Sequence, residues 1–394
     1  MIFFIVFIAI VIPLVAPYEQ KRLALYISLM LLFIPWGLQY EMTQDWEPHL
    51  LHWNVVNEST SALLESRELE PVYVFWLRLL SPFSYFGYLM ICALIELGII
   101  GYLIIKYVAP ELYWVSIAIL MLCVENGLLM INSNRMTMAL IVTIIAVLCL
   151  FKHQCSEENE YGDGELENVS EEQNKRGLNI QGLILFFVFF VVAVNIHGGA
   201  FAAIGLIIIY VFVLKIKNLN RPFWIILMNL FFLLRFFVDA SSLQTLAFLY
   251  IGGVELEGFD NYIDEIDIAE RISRVYTPIF FIFMNVILLT YHKMTTIMKF
   301  FALALIVKIQ FHSFLIGSIG RILQFYYIYS IILIPYVIQL MECSEYGIIR
   351  KSKRIVCVLS FLLIIYDFIK NVTTDMCYER WPDFHTIFSA PVWL

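Results

Sequence analysis

A chain of 394 residues with 61% hydrophobic and 15% charged residues and a mean hydropathy of +0.82 lies far from soluble domains, which are near half apolar and a quarter charged. Such a composition excludes a soluble globular protein and makes lipid the main solvent. The net charge of −8 argues against a nucleic-acid partner, because binding a polyphosphate backbone calls for an excess of Lys and Arg outside the membrane.

A membrane-spanning helix needs roughly 20 residues, because each residue rises ~1.5 Å through a hydrocarbon layer about 30 Å thick. Apolar runs of this order lie near 2–17, 23–39, 84–106, 111–131, 135–151, 180–196, 199–215, 222–238, 275–291, 300–318, 321–342 and 355–370. They predict an all-α polytopic membrane protein with about 12 transmembrane helices. No period of about 20–50 residues is visible, so 1–394 reads as a single transmembrane domain. The first run lacks the basic n-region of a cleaved signal peptide, and its first positive charges, Lys21 and Arg22, follow it. It reads as a retained first helix with its N-terminus outside.

Lys and Arg collect on the cytoplasmic side of membrane proteins, whereas acidic residues contribute little to orientation. Lys21/Arg22, Lys106, Lys152/Lys175/Arg176, Lys215/Lys217/Arg221, Lys293/Lys299 and Arg350 to Arg354 form one alternating set, which is therefore assigned to the cytoplasm. The loops 39–83 and 239–274 and the tail 371–394 then face outward. The acidic block 152–179 falls inside, and its charge and low hydrophobicity predict a disordered linker. Within the loop 39–83, Glu70-Pro71 opens an apolar run that ends near Leu80, too short to span. Proline in a first helical turn and a carboxylate just ahead of it suit a helix start, so a re-entrant or interfacial helix is expected near 71–80.

Charges at the centre of an apolar run cost roughly 2.5–3.5 kcal/mol each on insertion scales. Glu96 lies in the middle of the third run, and Lys308 in the tenth with His312 four residues on, one turn along the same face. A Glu96–Lys308 ion pair would relieve both costs, and an ion-relay role is the other reading. The orientation also places Asp45, Glu70, Arg135, His197 and Arg321 at outer helix ends or in outer loops. Two carboxylates, two guanidiniums and an imidazole on one membrane face could handle an anionic head group beside a nucleophile that must lose a proton. Taken singly, each has a plainer role: Arg135 as a snorkelling arginine, Arg321 before an interfacial tyrosine belt, His197 in a glycine turn. No CxxC or Cys/His spacing occurs, and His49 and His52 lack a fixed third ligand, so no metal site, disulfide framework or cofactor is expected.

The order of these features resembles the EpsG family of polysaccharide-biosynthesis membrane proteins, which look related in role to the Wzy polymerases. The residues that carry the resemblance are Thr43-Gln44-Asp45-Trp46, Glu70-Pro71-Val72-Tyr73, Asn132-Ser133-Asn134-Arg135, His197-Gly198-Gly199-Ala200, and Arg321 with Tyr326-Tyr327 and Pro335. Gln44 and Gly198 depart from the Gly and Ser common at their positions in the family. The fold class implied is that of the GT-C-like membrane glycosyltransferases and polymerases. The resemblance implies transfer of a glycan from a polyprenyl diphosphate carrier to a hydroxyl of another carrier-linked repeat unit. Capsule, O-antigen or exopolysaccharide synthesis on the outer face of a bacterial inner or plasma membrane is the setting, with a chain-length regulator as a further partner. Arg135 and Arg321 are then the diphosphate-binding candidates, and His197, Glu70 and Asp45 the candidates for the catalytic base. A polytopic transporter or lipid-linked glycan flippase, a single-sugar polyprenyl-phosphate-dependent glycosyltransferase and a membrane acyltransferase remain the alternatives.

Overall fold

The computed structural model describes residues 2–39, 46–58, 69–122, 134–151, 179–215, 221–234, 281–311 and 323–342. Among the described residues the secondary structure is helical. The helices are α1 (Ile2–Val15), α2 (Lys21–Gly37), α3 (Trp46–Glu58), α4 (Pro71–Leu79), α5 (Tyr85–Tyr107), α6 (Tyr113–Leu122) and α7 (Asn134–Leu150). They continue as α8 (Ile180–Val194), α9 (Ile204–Lys215), α10 (Arg221–Leu234), α11 (Phe281–Lys293), α12 (Thr296–Phe311), α13 (Gln324–Tyr327) and α14 (Ser330–Glu342). One compact unit draws its described residues from Met1–Leu150, Gln181–Phe201 and Ser330–Leu394, and a second from Phe151–Ile180 and Ala202–Tyr329.

Among the described residues, three helical stretches are long and apolar enough to cross a membrane: Tyr85–Tyr107, Gly198–Lys215 and Gln324–Met341. Other apolar helices, among them Asn134–Leu150 and Ile180–Val194, are shorter. Several of the longer sequence runs continue into residues outside the described ones, and the run near 355–370 lies wholly outside them, as do the blocks 152–178, 239–274 and 371–394. Large apolar side chains such as Phe4, Ile184, Val191, Ile208 and Leu230 stand exposed along these helices. A chain whose helices present such faces is a membrane protein, because only lipid removes that surface from water.

In the first unit, α1 packs against α2 and α6, α2 against α5, α5 against α7 and α14, and α6 against α14. The turn from α1 to α2 is closed by Lys21, whose ammonium donates to the carbonyls of Pro13 at 2.7 Å and Leu14 at 3.0 Å. Those are last-turn carbonyls of α1 that have no partner within the helix, and a cation there also complements the helix dipole. Gly101 lets α2 approach α5: a Cβ at this position would stand 2.6 Å from Leu29 Cδ1. Small residues serve this purpose at close helix crossings in membranes. The crossing buries Glu96, whose Oε2 accepts from the Trp36 indole N–H at 2.7 Å while Oε1 has no partner among the described residues. The indole of α2 thus supplies a hydrogen bond to this carboxyl. Trp36→Phe, which keeps the bulk and removes that donor, is expected to destabilise the first unit by ~1–3 kcal/mol. Thermal unfolding of the detergent-solubilised protein reads this, and an unchanged midpoint would show that the bond contributes nothing.

Helix α3 is a departure from the loop expected over 39–83. Trp46, His49, Trp53 and Val56 are its buried positions, spaced as one helical stripe. The stripe is interrupted by polar residues, and its apolar partners, Tyr85 and Tyr88 at the start of α5, come from a distant segment. Trp46 meets Tyr85 edge-on with ring centroids 5.6 Å apart, and Trp53 lies 5.4 Å from Tyr88. Helix α4 matches the short helix expected near 71–80, with Pro71 in its first turn.

In the second unit, α9 packs on α12 and α12 on α13. Phe151, Tyr210 and Phe300 form a ring cluster with centroids 5.3 Å apart in each of two pairs, and Phe301 stacks on Tyr329 at 4.7 Å. Asn229 and Asn285 exchange amide hydrogen bonds of 2.9 and 3.0 Å between α10 and α11. Amide pairs of this kind join helices in lipid because the amides have few other partners there. The Lys308 ammonium lies 5.7 Å from the centroid of the Tyr327 ring.

Candidate functional site

Glu70 is the organising residue of the site, and its position follows from local backbone chemistry. It precedes Pro71 with an extended backbone, φ −63° and ψ 136°, the region to which a following proline confines a residue. The backbone N–H groups of Val72 and Tyr73 in the first turn of α4 would lack acceptors within the helix. Both donate to the carbonyl of Asn195, at 3.0 and 3.2 Å. The turn that ends α8 is thereby fastened to the start of α4, and Glu70 stands over the junction.

From there the Glu70 carboxylate links two further elements. Oε2 accepts from Arg135 Nη1 at 2.9 Å, and Oε1 accepts from the backbone N–H of Gly198 at 3.1 Å. The Arg135 and Glu70 side chains are 24% and 25% exposed, so solvent reaches the ion pair without dominating it. Arg135 enters from the first turn of α7, and its guanidinium carbon lies 5.5 Å from the centroid of the Tyr73 ring. One aromatic face and one carboxylate therefore fix the cation in place.

His197 follows α8 in the Asn195-Ile196-His197-Gly198-Gly199 turn. Its Nδ1 accepts from the Gly199 N–H at 3.0 Å, which in the neutral ring leaves the proton on Nε2. Glycine at 199 leaves room for the His197 ring in this position, because a Cβ there would stand 2.9 Å from His197 Nδ1 and Cε1. At 198 a Cβ would meet Glu70 Oε1 at 4.0 Å, an ordinary contact.

Helix α3 adds two imidazoles that sequence reasoning weighed only as metal ligands. His52 lies 6.0 Å from the Tyr73 ring and 6.0 Å from the His49 ring, measured between centroids. Burial, reinforced by His52, Arg135 and His197 nearby, pushes His49 down to about 3. Burial and Arg135 lower His52 as well, with Glu70 opposing. Both rings are held neutral near pH 7. Burial also raises the Tyr73 hydroxyl, against the pull of Arg135. The signal for this pair in the sequence was the i, i+3 spacing, which places two histidines on one helical face. Among the described residues no group of three or more His, Cys, Asp and Glu is placed to hold a metal ion.

Of the residues singled out from the sequence, Glu70, Arg135 and His197 come together, through the carboxylate and the turn that follows α8. Asp45, His312 and Arg321 lie outside the described residues. Glu96 is deeper on α5, against Trp36, and Lys308 belongs to the second unit. The model of the EpsG family matches residues 22–156 of the chain. This agrees with the resemblance drawn from the order of motifs over the segment that holds Asp45, Glu70 and Arg135. No curated protein and no solved structure matches the chain.

Proposed function

We propose that this protein is a polysaccharide polymerase of the Wzy type. It joins polyprenyl-diphosphate-linked repeat units at the outer face of a bacterial inner or plasma membrane, within a fold of about 12 transmembrane helices. The observation that carries this reading is the Glu70–Arg135 pair beside the His197 turn. A guanidinium oriented by a carboxylate and an aromatic ring, and still partly open to solvent, suits the oxygens of a diphosphate leaving group. The site lies at the starts of α5 and α7, whereas Lys106 and Lys152 mark their opposite ends. With the positive residues inside, the site faces outward.

In this mechanism Arg135 balances the charge that develops as the bond from the anomeric carbon to the diphosphate breaks, a role the sequence reading also gives to Arg321, which lies outside the described residues. The acceptor hydroxyl attacks that carbon and loses its proton to a base. His197 Nδ1 is occupied by the Gly199 N–H, so the neutral ring suits donation through Nε2 to a substrate oxygen. Glu70 and Asp45 remain as candidates for the base. The chemistry needs no cofactor.

The test is the size of polyprenyl-linked glycans in cells lacking the protein, complemented with the native chain or with Arg135→Ala. Single repeat units are expected to accumulate without the protein and with the variant, and the native chain restores long polymers. Incomplete units would instead indicate a sugar-adding transferase. Complete units held on the cytoplasmic face would indicate a flippase and overturn the reading.

A further inference from the structure

Three ring nitrogens beside Arg135 have no hydrogen-bond partner among the described residues: Nδ1 and Nε2 of His49, and Nδ1 of His52. His49 is only 7% exposed, and burying a polar group without a partner forfeits its hydration with no return. If packing were its sole task, an apolar residue would fill this stripe of α3 better. The imidazole pair and the guanidinium also share a support. His52 lies 6.0 Å from the Tyr73 ring, and the Arg135 guanidinium carbon 5.5 Å from the same ring.

The charges explain why the nitrogens stand idle. Glu70 and Arg135 cancel one another, and the two imidazoles are neutral, so these four groups offer no net positive charge. A diphosphate brings at least about two negative charges to the site. Facing the imidazoles are Glu70 and Tyr73 at the start of α4, Arg135 on α7 and His197 in the turn after α8, while Tyr85 and Tyr88 on α5 lie against Trp53 of the same helix α3. Arg135 opposes a proton on either ring, and Glu70 alone among these favours one on His52. An anion placed at Arg135 reverses that balance, because it cancels the field of the guanidinium and attracts an imidazolium directly.

We propose that His49 and His52 complete the anion site beside Arg135, taking up one proton between them when a diphosphate binds. The inference rests on the reading of this site as one for diphosphates. One proton is expected because two imidazolium rings at 6.0 Å repel, so the pair titrates as a unit. The proton comes from bulk water, lodges on a ring nitrogen that has no other partner, and leaves with the anion. Binding and protonation then assist each other equally, as linkage requires.

Calorimetry on the purified full-length protein, in two buffers of different ionisation enthalpy, measures the protons taken up per ligand bound. The probes are inorganic pyrophosphate and farnesyl diphosphate, compared with the same titrations of His49→Gln/His52→Gln, which subtract protonation of the ligand itself. Relative to that variant, the native protein is expected to take up about one proton more, and to gain affinity by about tenfold per pH unit between about pH 8 and about pH 6.5. Binding of both probes identifies the diphosphate as the recognised group, and binding of farnesyl diphosphate alone identifies a lipid diphosphate. His52→Gln, at the half-buried position, is the second variant if the double one is poorly folded, and it too should lower the uptake. Binding that depends on Arg135 but shows no excess uptake overturns the role of the histidines and leaves the polymerase reading intact. No binding of either probe by the native protein overturns both.

Discussion

Glu70→Gln is expected to lower polymer formation by about ten- to a hundredfold, with the protein still present in the membrane at its normal level. The carboxylate serves two donors at once, the Arg135 guanidinium at 2.9 Å and the Gly198 N–H at 3.1 Å. A glutamine has one carbonyl oxygen for these two, and its amide N–H groups must face the other donor. Hydrogen bonds to charged groups contribute ~1.5–3 kcal/mol, and each ~1.4 kcal/mol of lost transition-state stabilisation is tenfold in rate. The ion pair is a quarter exposed on both sides, so global stability should fall by less than the rate does, about 1 kcal/mol. Polymer length in complemented cells and thermal unfolding of the purified variant separate the two effects. A variant that unfolds readily but polymerises normally when folded would show Glu70 to be a structural clamp only. Reversing the pair, Glu70→Arg with Arg135→Glu, should not restore activity, because an arginine at position 70 cannot accept from the Gly198 N–H.

The second large effect is a contrast between neighbouring glycines. Gly199→Ala places a methyl group 2.9 Å from the His197 ring, closer than any normal carbon contact. The imidazole must rotate away and give up the Gly199 N–H bond that holds its Nδ1. A side chain can move at small cost to stability, so the variant should fold, with a loss of roughly tenfold or more in polymer formation. Gly198→Ala meets Glu70 Oε1 only at 4.0 Å and should retain activity within about threefold, since ordinary contacts cost little. Polymer yield from the two variants, expressed to the same level, tests both statements. Equal activity would remove His197 orientation from the mechanism, and equal loss would place the requirement in the backbone of the turn.

Several parts of this protein are set by sequence alone because their causes are local or compositional. Lipid as solvent follows from 61% apolar residues, and the all-helical fold follows from the need to satisfy backbone groups without water. The short helix after Glu70 was legible because proline in a first turn, preceded by a carboxylate, suits no continuing span. Arg135 and His197 could be placed at helix ends from the polar turns around them. Their meeting at Glu70 could not be read, since the three residues are far apart in the chain and a carboxylate carries no mark of its partners.

Tertiary structure alone decided the rest. Glu96 Oε2 meets the indole of Trp36, a donor that hydropathy treats as an apolar residue. The sequence of α3 reads as loop because His49, His52, Asn54 and Asn57 dilute its stripe. It forms where Trp46 and Trp53 find Tyr85 and Tyr88, and packing of that kind supplies most of the stability of a helix this short. Sequence thus determined the solvent, the element type and the residue chemistry, which depend on neighbours in the chain. The partners of each charge, and hence which histidines stand beside Arg135, depend on contacts between distant segments that only folding brings within a few ångströms.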